Sequence, residues 1–251
     1  YVPREEVLAE LRHYLANPDV RLDFITFSGS GEPTLHIGIG EIIREIKRLT
    51  RVPVAILTNG SLLGLEQVRR DLLEADVVLP SLDAVSPFLF RHINRPHPGL
   101  RVEELIEGLV AFREEFRGQI WLEIMFCRAI NDGQDELEKM IRVIERVRPD
   151  RVQLNTVVRP PAEEFAFALS QEQLEHIREL MGERAEVITD FRGEQVGIFR
   201  TDIEEGIVDL VRRRPCTVLD LSHSLGVHPN EVIKYLNRLI KENRVRWVNY
   251  D

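Results

Sequence analysis

The sequence is poor in cysteine and has no long apolar run. It contains two cysteines in 251 residues, Cys127 and Cys216, which are too few and too far apart for a disulfide scaffold and fit a reducing cytoplasm. No run approaches the roughly 20 apolar residues that a membrane-spanning helix needs. No secretory signal peptide is visible. We therefore expect a cytoplasmic protein with no membrane partner, long enough for one large domain and a small one.

The sequence also lacks any excess of basic residues. The formal net charge is −9; residues 201–251 hold eight basic and eight acidic side chains, and residues 1–200 hold 25 and 34. Proteins that track a phosphate backbone normally show a positive patch or a positive excess. Nucleic acid is thus a possible but not a favoured partner, and a small-molecule, peptide or protein substrate is favoured instead.

The most distinctive stretch is DFITFSGSGEPTL (23–35), an apolar segment that stops in a glycine-rich polar turn. Its β-branched and aromatic residues predict a buried strand, and Pro33 prevents the strand from continuing. Gly29 and Gly31 allow unusual backbone conformations and a close approach of another molecule. At the carboxyl end of a parallel strand, such a turn presents backbone groups and the Glu32 carboxylate to a ligand. An ammonium group would suit these acceptors.

Strands and helices alternate along the first two hundred residues. Near-continuously apolar strands separated by amphipathic helices predict a parallel sheet that helices cover. One helix opens on the capping box Ser170-x-x-Gln173. The predicted strands are 22–28, 54–57, 77–82, 120–126, 152–156 and 186–188, and the predicted helices before the capping box are 4–17, 40–49, 65–74, 102–116 and 134–147.

Residues 201–251 form a different predicted unit. Helices at 203–213, 217–225 and 229–242, a turn at 226–228 and an alternating strand at 244–250 resemble a winged helix-turn-helix domain. Three interpretations compete: DNA binding, docking of a peptide or protein, and a structural cap on the first domain. The neutral charge favours docking or capping over DNA. Its predicted core is Leu219, Leu221, Leu225, Val232, Leu236 and Leu239.

Six short motifs in order resemble the radical S-adenosylmethionine (SAM) superfamily. They are SGSGEPTL (28–35), TNG (58–60), LPSLDA (79–84), INRPH (93–97), WLEIMF (121–126) and VQLNTVVRPP (152–161), and they are most similar to the branch that includes the wyosine-tRNA synthases. The resemblance implies an α/β fold for residues 1–200, a partial (β/α)6 TIM-like barrel rather than a flat doubly wound sheet. It also implies SAM and a [4Fe-4S] cluster as cofactors, and an electron donor such as ferredoxin or flavodoxin.

One part of the superfamily pattern is missing. Its Cys-x-x-x-Cys-x-x-Cys loop holds the cluster, and two cysteines cannot supply three thiolates. We expect the cluster ligands upstream of Tyr1, in a longer protein of which this chain is a fragment, and no metal ligand within it. The alternative is a relative that has lost the chemistry.

The resemblance assigns roles to polar residues at the predicted strand ends. The turn of Ser28, Gly29, Ser30, Gly31, Glu32 and Pro33 would hold the methionine amino group of SAM, and Ser81 and Asp83 would lie at the ribose hydroxyls. Asn59, Glu123 and Arg128 would make further cofactor contacts. An anionic substrate or the SAM carboxylate would meet residues of two proline-containing loops and a strand end, namely His92, Arg95, His97, Asn155 and Arg159.

Simpler interpretations stay open for several of these residues. Gly-Ser-Gly and Thr-Asn-Gly are also common turns, and the loop residues could merely order their loops. Cys127 could be a hydrogen-atom donor or a cluster ligand, but a lone cysteine beside a strand is more often a small buried hydrophobe.

The sequence therefore predicts a radical SAM enzyme that cleaves SAM reductively and modifies an unidentified substrate. The alternatives are a non-catalytic barrel relative and a DNA-binding or sensory regulator that acts through the winged helix.

Overall fold

A computed structural model of the chain describes residues 2–17, 21–29, 31–157, 166–189, 203–225, 227 and 229–248. These residues belong to two compact units, Tyr1–Thr189 and Asp190–Asp251. The domain boundary at residue 200 stays a prediction, because residues 190–202 lie outside the described part. Within the described ranges, no helix has the length and apolar character needed to cross a membrane.

The first unit is built on a parallel sheet whose strands follow one another in chain order. Each strand pairs with the next, so the sheet has no reversal of strand order of the kind that marks a doubly wound fold. The predicted alternation of strands and helices is confirmed. The strands are β1 (Ile25–Phe27), β2 (Val54–Thr58), β3 (Val77–Pro80), β4 (Gln119–Phe126), β5 (Arg151–Thr156) and β6 (Ala185–Val187).

The sheet is curved, as the predicted partial barrel requires. Phe24, just before β1, meets Trp121 of β4 edge to face with ring centroids 6.0 Å apart. In a flat sheet β1 and β4 would be separated by three strand spacings, about 14 Å. The two rings meet because the sheet curls around its inner face.

Helices cover the outer face of this sheet. The helix α6 has the predicted boundaries, and the Ser170 capping box at the start of α7 is present. The short α4 was not predicted, because it buries only Phe90 and gives no periodic apolar pattern. The helices are α1 (Arg4–Leu15), α2 (Ile39–Leu49), α3 (Glu66–Leu72), α4 (Pro87–Ile93), α5 (Val102–Glu115), α6 (Gln134–Val147) and α7 (Gln171–Met181), with a 3-10 helix at Pro33–Leu35.

The two faces of the sheet differ in chemistry. Alternate residues such as Ile56, Ile120 and Leu154 are fully buried in the core that the helices share. Their neighbours along the strands point to the inner face, where Trp121 and Glu123 are half-buried. Polar side chains are therefore held inside the curve of the sheet.

The described residues of the second unit form the helices α8 (Ile203–Arg213), α9 (Val218–Leu225) and α10 (Pro229–Lys241). Five of the six predicted core leucines and valines are buried, but Leu219 is 46% exposed because α9 turns its other face inward. The predicted strand from Arg244 is wrong over residues 244–248, which show no strand. The chain turns there through Asn243, in the left-handed region at φ 56°, and the described residues of this unit offer no strand to pair with.

Candidate functional site

The carboxyl ends of the parallel strands meet at one edge of the first unit, here called the mouth. This placement follows from parallel pairing, since all strands run in the same direction. The polar residues that follow β1 to β5 are therefore on the same side of the sheet. Two predicted site residues, Ser30 and Arg159, lie outside the described residues.

Glu32 ties the end of β1 to the end of β2. Its Oε1 accepts hydrogen bonds from the Thr34 backbone N–H (3.0 Å), the Thr34 hydroxyl (2.5 Å) and the Thr58 hydroxyl (2.6 Å). Its Oε2 accepts from the Asn59 backbone N–H (2.7 Å). The carboxylate also caps the 3-10 helix that Pro33 begins. Glu32 is thus a structural brace as well as a candidate ligand.

The Glu32 carboxylate can still accept a further hydrogen bond from a ligand. Each carboxylate oxygen has two lone pairs, and Oε2 accepts one bond from the described residues. A cationic N–H donor can approach its second lone pair. Asn59 lies beside it, exposed, and its Oδ1 accepts from the Ser61 backbone N–H at 2.9 Å.

The glycines of the first turn provide space rather than an unusual backbone. Neither Gly29 nor Gly31 has a positive φ. A Cβ built on Gly31 would find no atom within 4 Å, and one built on Gly29 would meet only Gly31 atoms, at 3.8 Å and beyond. Ser28 and both glycines are exposed, so the surface of the turn is open to a ligand. In the second turn Gly60 does need its freedom, with φ 72°.

Three predicted residues form a row on the inner face near the mouth. Ser81 pairs with Glu123 across β3 and β4, and the Ser81 N–H donates to the Thr58 carbonyl at 3.0 Å. The Asn155 amide donates to Glu123 Oε1 at 3.3 Å, and its Oδ1 accepts from the Thr189 hydroxyl at 2.8 Å. The row therefore joins the ends of β2, β3, β4 and β5.

Asp83 is a buried carboxylate at the same edge. Its Oδ1 accepts from the Met125 N–H (2.9 Å) and its Oδ2 from the Asn94 side-chain amide (2.7 Å). Burial raises the pKa of Asp83; the two hydrogen bonds oppose this rise, and the charge of Glu123 adds to it. The side chain is 8% exposed, so any ligand contact would be made by a carboxylate that the protein already holds rigidly.

Two buried residues of the mouth were missed from the sequence. Asn131 is 1% exposed; its amide donates to the carbonyls of Asp83 (2.7 Å) and Met125 (2.9 Å), and its Oδ1 accepts from the Cys127 N–H (2.7 Å). The Glu136 Oε1 accepts hydrogen bonds from the backbone N–H groups of Val85 (2.6 Å) and Ser86 (2.9 Å), which come just before α4. Both lie outside the six motifs; Asn131 is in a turn, and Glu136 is a charged residue on the otherwise apolar buried face of α6.

The remaining predicted residues lie further from this network. The Arg128 guanidinium sits 5.4 Å from the centroid of the Phe167 ring. Arg95 has φ 46° just after α4, and His97 accepts from the Gly99 N–H at 3.2 Å. The His92 ring stacks on Phe88 with centroids 6.3 Å apart. Among the described residues, the hydrogen bonds and ring contacts of the Arg128 and His97 side chains do not reach the residues predicted to hold SAM.

The described residues do not fit an iron-sulfur cluster. They contain no group of three or more His, Cys, Asp or Glu side chains that could hold a metal ion. Cys127 is buried, and burial, followed by the charges of Asp83 and Asp132, raises the pKa of its thiol. Cys216, in the other unit, contacts the Arg214 carbonyl at 3.3 Å. Burial supports the interpretation of Cys127 as a small apolar residue.

A family model and two relatives of known sequence match most of the chain. The family model of the radical SAM superfamily matches residues 1–148. A UPF0026 protein of Methanocaldococcus jannaschii is 30% identical over 236 residues, 92% of this chain and 73% of that protein. A protein of Brachyspira hyodysenteriae named GTPase Obg is 36% identical over 249 residues, 98% of this chain. This chain spans only 36% of the length of the Brachyspira protein, so the activity in that name is not carried over to this chain.

Solved structures share the fold at low sequence identity. Streptococcus suis SuiB bound to S-adenosylmethionine matches with a TM-score of 0.59 and 14% identity, over 75% of this chain and 44% of that one. A radical SAM methyltransferase of Sphaerobacter thermophilus matches with a TM-score of 0.56 and 20% identity, over 73% and 55%. These likenesses confirm the predicted partial barrel. The family model and the UPF0026 relative lead to one conclusion: the chain belongs to the radical SAM superfamily and to the UPF0026 proteins.

Proposed function

We propose that this protein is a radical SAM enzyme that uses a [4Fe-4S] cluster to cleave SAM reductively and modify a substrate. The arrangement at the mouth carries the proposal. An open glycine turn, a braced glutamate with one acceptor position left, and polar residues on β3 and β4 are brought to one edge. This set of groups suits a ligand with an ammonium group at one end and hydroxyl groups at the other.

Each element of the mouth has a part in holding SAM. The Glu32 Oε2 and the backbone around Gly31 accept from the methionine ammonium group, which a fixed carboxylate attracts. Ser81 and Asp83 lie at the next strand end, where they face the ribose hydroxyls. Bound SAM is the source of the radical chemistry of the superfamily. This chain's residues orient it and exclude water from the inner face.

The cluster and the electron come from outside the described residues. Thiolate ligands for a [4Fe-4S] cluster require a cysteine set that the described residues do not have. A reduced small protein such as ferredoxin or flavodoxin would supply the electron. The wyosine-synthase-like branch, the cytoplasmic location and the substrate, whether small molecule, peptide or protein, remain predictions from the sequence.

The test uses the protein expressed anaerobically from its complete reading frame. We expect iron and sulfide in the ratio of a four-iron cluster, and release of deoxyadenosine from SAM that depends on dithionite. Glu32→Gln should lower the affinity for SAM, and the exposed Glu74→Gln should not. Purified protein with neither cluster nor SAM cleavage would contradict the proposal.

A second role is proposed for the α8–α10 unit, docking of a peptide or protein rather than DNA reading. The even charge of residues 201–251 and four exposed apolar side chains, Leu219, Ile233, Trp247 and Val248, favour it. Fluorescence anisotropy with duplex DNA tests it. Binding that weakens steeply as salt rises would support DNA reading instead.

A further inference from the structure

A cleft beside the mouth has not been given a role. It has a volume of about 420 Å³ and lies between α4, the loop 94–101 and the first turn of α5. Small-molecule sites commonly measure about 300–1,000 Å³. The buried ring of Phe90 and the rings of Pro87 and Pro96 line it. These rigid apolar groups suit the hydrocarbon part of a small molecule.

The charges around the cleft are unequal. Arg91, Arg101 and His97 contribute cationic or ionisable groups, and Glu103 is the acidic residue among those that line it. Arg101 Nε lies 3.6 Å from the Glu103 carboxylate, whereas Arg91 has no ion pair among the described residues. With histidine counted as neutral, the lining carries a net charge of +1. It is therefore complementary to a monoanion.

A hydrogen bond connects the cleft to the mouth. The Asn94 amide at the end of α4 donates to Asp83 Oδ2 at 2.7 Å. Pro96 follows two residues later, so its Cα lies at most about 8 Å from that of Asn94. The cleft is consequently connected through the loop after α4 to Asp83, one of the residues predicted to face the ribose of SAM.

We propose that the cleft binds a small monocarboxylic acid with an apolar body. The carboxylate is held by Arg91 and Arg101, whose planar guanidinium groups match its geometry. The apolar body packs on Phe90 and the proline rings. A phosphate dianion fits less well because Glu103 opposes its second charge. SAM fits less well because its ammonium and sulfonium groups would face the arginines.

Identifying the acid as the substrate of the radical reaction rests on the proposed function, but binding itself does not. The test therefore uses the 251-residue chain without reductant. Hexanoate and hexan-1-ol are titrated separately, and their binding is followed by saturation-transfer difference NMR. Inorganic phosphate has no carbon-bound proton to observe, so it is titrated as a competitor of hexanoate. We expect hexanoate to bind more tightly than either of the other two probes.

Variants locate the binding. Arg91→Gln should weaken hexanoate binding about tenfold, the effect of losing a charge-assisted hydrogen bond. Arg142→Gln is the matched control, since Arg142 is an exposed arginine on α6 with no ion pair among the described residues. Glu103→Gln should strengthen hexanoate binding and allow phosphate to bind. Circular dichroism confirms that each variant is folded.

The proposal would be overturned by no binding of hexanoate, by equal binding of hexan-1-ol, or by an unchanged affinity in Arg91→Gln. Displacement of hexanoate by SAM would also overturn it, because the cleft would then belong to the cofactor site. Hexanoate binding by this chain, together with no SAM cleavage by the protein expressed from its complete reading frame, would contradict the proposed function alone.

Discussion

Replacing Glu32 by glutamine tests whether this residue holds the mouth together. The amide oxygen of glutamine can still accept from Thr34 and Thr58 in the place of Oε1. The NH2 group then replaces Oε2 and faces the Asn59 backbone N–H, which the carboxylate accepts at 2.7 Å. The glutamine NH2 group and the Asn59 N–H are then two donors that face each other. The hydrogen bonds that remain are weaker because their acceptor is no longer charged.

The expected loss follows from these contacts. A hydrogen bond to a charged group contributes about 1.5–3 kcal/mol, but Asn59 is exposed, so water can replace part of what is lost. We expect the free energy of unfolding to fall by about 2 kcal/mol. For a unit of this size, that corresponds to a melting temperature lower by about 4–8 °C.

The assay needs a signal from the first unit alone. The two tryptophans are Trp121 on β4 and Trp247 in the second unit. A Trp247→Phe background leaves Trp121 as the reporter, and urea unfolding is followed by its fluorescence. Glu74→Gln, an exposed glutamate, is the matched control.

A double-mutant cycle decides the interpretation. Thr58→Val removes the hydroxyl that donates to Glu32 Oε1, so the two substitutions should be coupled by at least about 0.5 kcal/mol. If Glu32→Gln unfolds at the same urea concentration as its control, or if the two effects are additive, Glu32 is not a brace. Lost SAM binding with unchanged stability would assign it a ligand role only.

Three further substitutions test the mouth. The pKa of Asp83 is raised in the folded state. Between the unfolded value of about 3.9 and the raised value, only the folded chain holds the proton, so the contribution of Asp83 to stability falls as pH rises. Urea unfolding measured across pH should show this fall in the unaltered chain and not in Asp83→Asn. Gly31→Ala should reduce SAM affinity about tenfold and change stability little, whereas Gly133→Ala, equally free of neighbours, should leave SAM affinity unchanged, as isothermal titration can show. Asn131→Ala should lower the free energy of unfolding by about 3 kcal/mol, because it removes the side-chain partner of one N–H and two carbonyl groups. A free energy of unfolding in urea no lower than that of Glu74→Gln would contradict this.

Most of the fold was predictable because its signals are periodic. The apolar face of α6 fixed both ends of that helix, and β4 alternates between buried and half-buried residues along its whole length. The error at Arg244 has the same origin. Its alternating pattern fits a strand, but a strand also needs a partner strand. The pattern of one segment does not predict whether such a partner is present.

The site was predictable in its positions but not in its hydrogen bonds. The rule that parallel strands end at one edge puts Glu32, Ser81 and Asp83 on the same side of the sheet, and their roles as SAM ligands stay predictions. It could not show that Asn131 and Glu136, far along the chain, satisfy the backbone groups of the same edge. Asn131 is a loop residue and belongs to no periodic pattern, and the pattern that puts Glu136 on the buried face of α6 does not identify its hydrogen-bond partners.

The hydrogen bonds of the mouth also explain why one residue type can serve two purposes there. A glutamate that only bound SAM would have to be held still by other groups, because a free side chain loses rotamer entropy on binding. Glu32 is held by Thr34, Thr58 and Asn59, so that entropy is lost on folding and not on ligand binding. The same contacts that make Glu32 costly to replace in the fold therefore prepare its remaining lone pair for an ammonium group. Stability and affinity should consequently fall together in any substitution that loosens the brace, and Thr58→Val, which leaves the carboxylate in place, should show both effects.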